Sequence, residues 1–198
     1  MNATDKFETF RNLHQGPNLF VMPNPWDAGS ARLLQELGFK ALATTSAGLA
    51  FALAKPDGRA AVSQAEAMAN AKAIADAVSL PVSGDFENGY GHRPEDCAET
   101  VRQAIAIGLA GCSIEDATSA SDGDPLYTFE AAVDRIRAAA EAAHAAPRPF
   151  LLTARAENYL QGRPDLNDTI KRLQAFQEAG ADVLFAPGLT SESDIRTL

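Results

Sequence analysis

The sequence predicts an α/β fold, a (β/α)8 barrel of which only about six strand–helix units are present. Three helix-to-strand junctions resemble one another, and their glycines, Gly38, Gly108 and Gly180, lie 70 and 72 residues apart. One further strand is expected between each pair, so the period is about 35 residues per unit, as in a parallel βα repeat. The expected strands are apolar on both faces, and no GxGxxG follows the first one, which disfavours a dinucleotide-binding sheet.

Six apolar runs are predicted to form the strands, near residues 19–23, 41–45, 81–84, 112–114, 149–153 and 183–186. A complete (β/α)8 barrel has eight strands and about 250 residues, whereas this chain has 198 residues. We therefore expect a single barrel domain over residues 1–198 that lacks the seventh and eighth strands. It is either a fragment of a longer barrel or the ordered part of one.

Helices are predicted between these strands from hydrophobic spacing and from capping residues. Asp27 is expected to cap one helix and Gly38 to end it. Pro94 opens another, with Glu95 and Asp96 in its first turn, where the helix dipole favours acids. The expected helices span residues 5–13, 27–37, 63–78, 94–108, 128–146 and 168–179, and a further one begins near residue 190.

Composition narrows the possible partners and the compartment. The formal net charge is −9 and no basic run is present, so nucleic acid and anionic membranes are not expected as partners. No apolar run reaches the roughly 18 residues of a membrane span, and the polar start lacks a signal-peptide core. Cys97 and Cys112 show no metal-ligand spacing, which favours reduced, packed thiols and a cytoplasmic protein.

Two acids follow the predicted central strand. Asp85 and Glu87 lie at positions i and i+2 in LPVSGDFENGYG, so their side chains point to the same side of a strand end. Two adjacent carboxylates repel unless a proton or a cation lies between them, and oxygen ligands suit Mg²⁺. The alternative is that these acids are turn residues after an ordinary strand.

Other predicted strands also end in polar residues, and a barrel places its active site at those carboxyl ends. Glu115 follows one strand, Arg155 another, and the small-residue loop Ser46-Ala47-Gly48 a third. A metal held by the acids would chelate a 2-oxo acid and stabilise an enolate, with loop N–H groups on the substrate carboxylate. Arg155 would pair with an anionic group of the substrate; the alternative is a structural ion pair with Glu115 or Glu157.

At these residues the sequence strongly resembles the isocitrate lyase/phosphoenolpyruvate mutase family. The matching stretches occur in the family's order and cover residues 5 to about 198. They are PNPWDAGSARLLQELGFKALATTSAG, KPDG, LPVSGDFENGYG, GLAGCSIED, FLLTARAEN and AGADVLFAPG.

The resemblance implies an Mg²⁺-dependent barrel, with Mn²⁺ as a substitute ion, that forms a homodimer or homotetramer by exchanging its eighth helix. That helix and the last two strands have no counterpart here. By the family pattern, Asp85 binds the metal directly, and Asp57, Glu87 and Glu115 hold it largely through water. Asp57 and Glu115 also belong to the implied catalytic set. Thr45, Ser46 and Ala47 are implied to bind the substrate carboxylate, and Arg155 to neutralise the substrate during catalysis.

Two departures from the family narrow the expected reaction. The family's lyases carry a catalytic cysteine in the loop after the fourth strand, and its mutases a Lys-x-Asn-Ser-type motif; here that loop is ATSASDGDPLY. We therefore expect a Mg²⁺-dependent enzyme that cleaves a C–C or P–C bond of a small 2-oxo acid or phosphonate. It would resemble an oxaloacetate decarboxylase or a phosphonopyruvate hydrolase. The alternatives are a phosphoenolpyruvate or carboxyphosphonate mutase and a non-catalytic 2-oxo acid-binding relative.

Overall fold

The computed structural model describes residues 5–58, 60–118 and 123–198, and its described strands form one parallel sheet. The sheet is half of a barrel, with its strands in chain order. Asp85, Ser113 and Thr153 lie side by side in the ladder, and Glu115 pairs with Arg155. The strands are β1 (Leu42–Ala43), β2 (Val82–Asp85), β3 (Gly111–Glu115), β4 (Leu151–Arg155) and β5 (Val183–Phe185).

The expected strand at residues 19–23 is wrong. This segment has one backbone hydrogen bond to the sheet, from Ala43 N to Pro23 O at 3.1 Å. Phe20 and Met22 pack beside the small cluster around Phe10, whereas Leu19 is exposed. The alternation of apolar side chains is therefore present, but β1 is too short to give this segment a ladder.

Helices cover the outside of the sheet, and most lie close to the expected ranges. Asp27 caps its helix, with its carboxylate accepting a bond from Ser30 N at 2.7 Å. One helix begins two residues earlier than expected because Asp165 caps it. The helices are α1 (Lys6–Gln15), α2 (Ala28–Glu36), α3 (Ser46–Ala52), α4 (Gln64–Ala77), α5 (Pro94–Ala106), α6 (Phe129–His144), α7 (Leu166–Glu178) and α8 (Glu192–Thr197).

The expected loop after β1 is also wrong, because it forms α3. Thr45 caps this helix with its hydroxyl, which accepts the N–H of Gly48 at 3.1 Å. A Cβ at Gly48 would lie 2.5 Å from the ring of Trp26, so the small residues let the helix approach that ring. The helix starts immediately after the strand, which places its first residues at the carboxyl edge of the sheet.

The core lies between the sheet and the alanine-rich faces of α4, α5 and α6. Cys97 and Cys112 are free, buried thiols within it, as expected from their spacing. Burial raises the pKa of Cys97 to about 11, so this thiol stays protonated at neutral pH. Among the described residues, no helix is long and apolar enough to cross a membrane.

Candidate active site

The carboxyl edge of the sheet carries three charged residues, each the last of its strand: Asp85, Glu115 and Arg155. Because the strands are parallel, these side chains meet at one edge. A cavity of about 530 Å³ opens beside them. Its lining includes most of the predicted site residues, namely Thr45, Ser46, Ala47, Asp57, Asp85 and Arg155.

Asp85 is held in one orientation by the start of α3. Its Oδ2 accepts hydrogen bonds from both the backbone N and the Oγ of Ser46, each at 2.9 Å. Its own N–H donates to Thr44 Oγ1 at 2.8 Å. Its Oδ1 faces Arg155 Nη1 at 3.1 Å. Asp85 is therefore a fixed carboxylate at the edge of the cavity.

Arg155 lies among three carboxylates. Its Nη1 is 3.1 Å from Asp85, and its Nη2 is 3.2 Å from Glu115 and 2.8 Å from Glu157. Glu157 Oε1 also accepts from Arg155 Nε at 2.9 Å, so one oxygen binds two nitrogens of the guanidinium. Burial alone would lower the pKa of Arg155, but the three carboxylates raise it, and the residue stays charged. The ion pairs considered as the alternative for Arg155 are thus present, with Glu115 and Glu157 together.

Glu87 is a buried acid and Glu115 a partly buried one, and both lie beside these charges. Burial, followed by the carboxylates of Asp85 and Asp57, raises the pKa of Glu87 to about 7. Burial also raises the pKa of Glu115 well above its usual value, although Arg155 opposes the shift. The single positive charge of Arg155 does not neutralise this group of acids at neutral pH. A cation bound among them would therefore stabilise the fold.

The donor set fits Mg²⁺ in one particular way. Within residues 5–58, 60–118 and 123–198, no three His, Cys, Asp or Glu side chains converge closely enough to hold an ion directly. Mg²⁺ commonly keeps several waters and binds only one or two carboxylates. Asp85 as the direct ligand, with Asp57, Glu87 and Glu115 acting through water, agrees with this arrangement. The individual roles stay predictions.

The residues predicted to bind the substrate carboxylate are already partly engaged. Thr45 Oγ1 caps α3, and the N–H of Ser46 donates to Asp85. The described structure gives no hydrogen-bond partner to the N–H of Ala47, which lines the cavity. Of this predicted set, the amide of Ala47 and the hydroxyl proton of Thr45, whose oxygen only accepts from Gly48, therefore remain as donors for a ligand.

Two residues of the site, Ser113 and Thr44, were given no role in the sequence analysis, and Glu157 was considered there only as a structural ion-pair partner of Arg155. Glu157 lies two positions after Arg155, on the same side of the strand end, and this spacing is the signal for that pair. Ser113 pairs with Asp85 across the ladder and donates to it at 3.4 Å. Thr44 precedes the predicted loop, and only the fold shows that its hydroxyl meets the backbone of Asp85.

A half-barrel with acids and an arginine at the carboxyl ends of its strands belongs to the class of barrel proteins with a carboxylate-rich site. A family model described as phosphoenolpyruvate phosphomutase matches residues 10–198. The chain belongs to the isocitrate lyase/phosphoenolpyruvate mutase family. The resemblance and the barrel-type fold inferred from the sequence are thereby confirmed.

Relatives of this chain carry several reaction names. "Probable 2-methylisocitrate lyase 2" of Corynebacterium glutamicum is 30% identical over 96% of this chain, which spans 62% of that protein. A solved structure from Burkholderia cenocepacia J2315, described as a lyase/mutase, is 51% identical and has a TM-score of 0.94. The match covers 98% of this chain and 69% of the Burkholderia chain.

Two further solved structures bear on the ligand. Oxaloacetate acetylhydrolase in complex with the product oxalate is 32% identical, with TM-score 0.87 over 98% of this chain and 67% of its own. Phosphonopyruvate hydrolase in complex with oxalate and Mg²⁺ is 26% identical, with TM-score 0.88 and the same coverage. Members of the family are thus lyases, hydrolases or mutases.

Proposed function

We propose that this protein is a Mg²⁺-dependent enzyme that cleaves a C–C or P–C bond of a small 2-oxo acid by way of an enolate. The observation that carries the proposal is the placement of Asp85 and Arg155 on one wall of the cavity, 3.1 Å apart. An acid fixed for a cation and an arginine for an anion are the two groups that a 2-oxo acid needs.

Each residue would act through its position. Arg155 would bind an anionic group of the substrate, because it lines the cavity while Glu157 holds its Nε. The N–H of Ala47 would donate to the substrate carboxylate. Asp85 would hold the ion, and Asp57, Glu87 and Glu115 would orient its water ligands. Bound Mg²⁺ would withdraw electron density from the substrate oxygens and so lower the free energy of the enolate.

The relatives support this substrate class. Oxaloacetate acetylhydrolase was solved with oxalate, and phosphonopyruvate hydrolase with oxalate and Mg²⁺. Oxalate has two adjacent carboxylates, and its planar dianion resembles the enolate of pyruvate. A shared enolate intermediate would serve both C–C and P–C cleavage, and for this reason the proposal does not choose between the two bonds.

Product formation followed by NMR tests the proposal. Oxaloacetate and phosphonopyruvate are offered in turn with Mg²⁺ and then with EDTA. We expect enzyme-dependent pyruvate, or oxalate and acetate, that disappears with EDTA. Products that persist unchanged in EDTA, or no turnover of any 2-oxo acid in a broad panel, would contradict it. Oxalate binding without turnover would favour the non-catalytic relative instead.

A mutase activity is the second candidate, and the family model described as phosphoenolpyruvate phosphomutase favours it. Phosphorus NMR separates the two reactions. Interconversion of phosphonopyruvate and phosphoenolpyruvate would indicate the mutase, whereas release of inorganic phosphate would indicate the hydrolase.

A further inference from the structure

Asp116 directly follows Glu115 at the exit of β3, but it has no part in the function proposed above. Its side chain is 0% exposed and it does not line the cavity. Burial raises the pKa of this acid, against hydrogen bonds from the N–H of Glu157 and from Arg172. Because burying a carboxylate outside the cavity is unfavourable, other groups must hold Asp116 there.

The contacts of Asp116 identify those groups. Its Oδ1 accepts the N–H of Glu157 at 2.8 Å, and its own N–H donates to the carbonyl of Arg155 at 3.2 Å. Asp116 therefore binds the main chain on both sides of Ala156. The two clamped residues, Arg155 and Glu157, are the ones whose side chains bind each other, and Arg155 lines the cavity.

Arg172 of α7 fixes Asp116 in turn. Its Nη1 lies 3.0 Å from Asp116 Oδ2 and 3.1 Å from the carbonyl of Tyr127. Its Nε donates to Asp168 at 2.8 Å, and its side chain is only 9% exposed. The guanidinium thereby ties α7 to the exit of β3 directly, and to the exit of β4 through Asp116.

We propose that the buried Asp116–Arg172 pair is a positioning pair that sets the orientation of Arg155 toward the cavity. A buried ion pair is weak evidence for stability, since apolar residues of similar volume often serve as well. The geometry here favours positioning, because every bond from Asp116 to β4 falls on the Arg155–Glu157 segment. The consequence for ligand binding rests on the proposed function, whereas the orientation of Arg155 does not.

The test uses a double variant that removes both charges of the pair, Asp116→Ala with Arg172→Met, while Asp168 keeps its hydrogen bond from Asn158 Nδ2. NMR follows solvent exchange of two protons, the amide of Glu157 and the Nε–H of Arg155. Both rates are taken relative to the amide of Leu152 in the same sheet, so that a change in global stability cancels. Calorimetry gives the affinity for oxalate with Mg²⁺. The matched control, Asp168→Asn, removes the other carboxylate of Arg172 without touching Asp116.

We expect both protons to exchange at least about tenfold faster in the double variant, and oxalate to bind about tenfold more weakly. The control is expected to match the wild type in both measurements. Arg172→Lys keeps a cation opposite Asp116 and is expected to shift both values in the same direction by less. This variant decides the matter if the double variant does not fold.

A folded double variant whose Arg155 Nε–H exchanges at the wild-type rate would overturn the positioning role, as would an Arg172→Lys variant with no change. Failure of the proposed function looks different. In that case the wild type neither binds oxalate nor turns over a 2-oxo acid, while the exchange rates of Glu157 and Arg155 still decide the role of the pair.

Discussion

The guanidinium of Arg155 binds three carboxylates through its Nε and its Nη atoms. Glu157 occupies its Nε edge with a single oxygen, while Asp85 and Glu115 face its Nη atoms. The side chain is only 15% exposed, so its orientation is fixed by these partners rather than by solvent. A lysine carries the same charge as one compact ammonium group and cannot bind three carboxylates in this planar arrangement.

Substituting Arg155→Lys is therefore expected to lower kcat/KM for the 2-oxo acid by about 100-fold, while the protein stays folded. Steady-state kinetics with saturating Mg²⁺ measure the change, and circular dichroism checks the fold. Arg102→Lys on the exposed face of α5 is the matched control and should leave the kinetics unchanged. Wild-type kcat/KM in Arg155→Lys would remove this residue from the substrate site.

Glu87 has an unusual backbone as well as an unusual environment. It is a non-glycine residue with φ of +46°, and its exposure is 8%. Left-handed conformations at such residues cost free energy and gather at functional sites. Burial and the neighbouring carboxylates of Asp85 and Asp57 raise the pKa of Glu87 to about 7.

This raised pKa predicts how stability depends on pH in EDTA. Between about pH 4.5 and 7 the folded protein binds a proton that the unfolded chain releases, so the free energy of unfolding falls as pH rises. Glu87→Gln should flatten this fall and add about 3 kcal/mol at pH 8. Urea unfolding from pH 4.5 to 8 measures it. An identical pH slope in the wild type and the variant would contradict the assignment, and Glu130→Gln on exposed α6 is the control.

Among the helices and strands, the capped and well-spaced ones were predictable. The Asp27 cap and the Ser63–Glu66 capping box mark α2 and α4 in the sequence itself. The start of α3 was not predictable, because Ser46-Ala47-Gly48 has no helical hydrophobic spacing and its glycine disfavours a helix. Its helix depends on the Thr45 cap and on contact with Trp26, which only the fold provides. The expectation of a strand at residues 19–23 is wrong for a similar reason. Their exposed and packed side chains alternate as in a strand, but the neighbouring β1 is too short to pair with them.

The pairing of β3 with β4 depends on one small residue. A Cβ at Gly111 would lie 2.6 Å from the carbonyl oxygen of Leu151, its ladder partner, and 2.9 Å from Phe10. Gly111→Ala must therefore separate the two strands that carry Glu115 and Arg155. We expect it to lower the free energy of unfolding by about 2 kcal/mol, as measured in urea.

Gly29 in α2 is the control for this substitution. A Cβ there meets only Asp27 Oδ1, at 3.4 Å, and its φ is not in the left-handed region. Gly29→Ala should be neutral or stabilising by up to about 1 kcal/mol, because alanine favours a helix. If Gly111→Ala were equally harmless, the close approach of the two strands would be wrong.

For the molecule as a whole, the sequence predicted that the site lies at the carboxyl edge of the sheet, but it did not predict all the ion pairs between the side chains there. The period of the helix-to-strand junctions placed Asp85, Glu115 and Arg155 on one side of a parallel sheet, where the structure has them. The sequence left an ion pair of Arg155 with Glu115 or Glu157 open as an alternative, but it did not indicate the contact with Asp85, since side-chain rotamers depend on burial and packing. Which acids hold a metal directly remains a prediction.

The excess of carboxylates at the carboxyl edge of the sheet predicts the order in which Mg²⁺ and the substrate bind. The cavity wall has Asp57 and Asp85 against one arginine, with the buried Glu87 and the partly buried Glu115 beside them. A dianionic ligand would be repelled by these carboxylates until a divalent cation neutralises them. The proposed site therefore requires Mg²⁺ to bind before, or together with, the 2-oxo acid.

The most direct test is calorimetric titration of the protein with oxalate, first with Mg²⁺ and then with EDTA. The proposed site predicts binding that requires the ion and that is lost in Asp85→Ala, while the exposed-residue control Asp76→Ala binds as the wild type does. Oxalate that binds equally well in EDTA, or an Asp85→Ala variant with unchanged affinity, would contradict a metal-dependent 2-oxo acid site centred on Asp85.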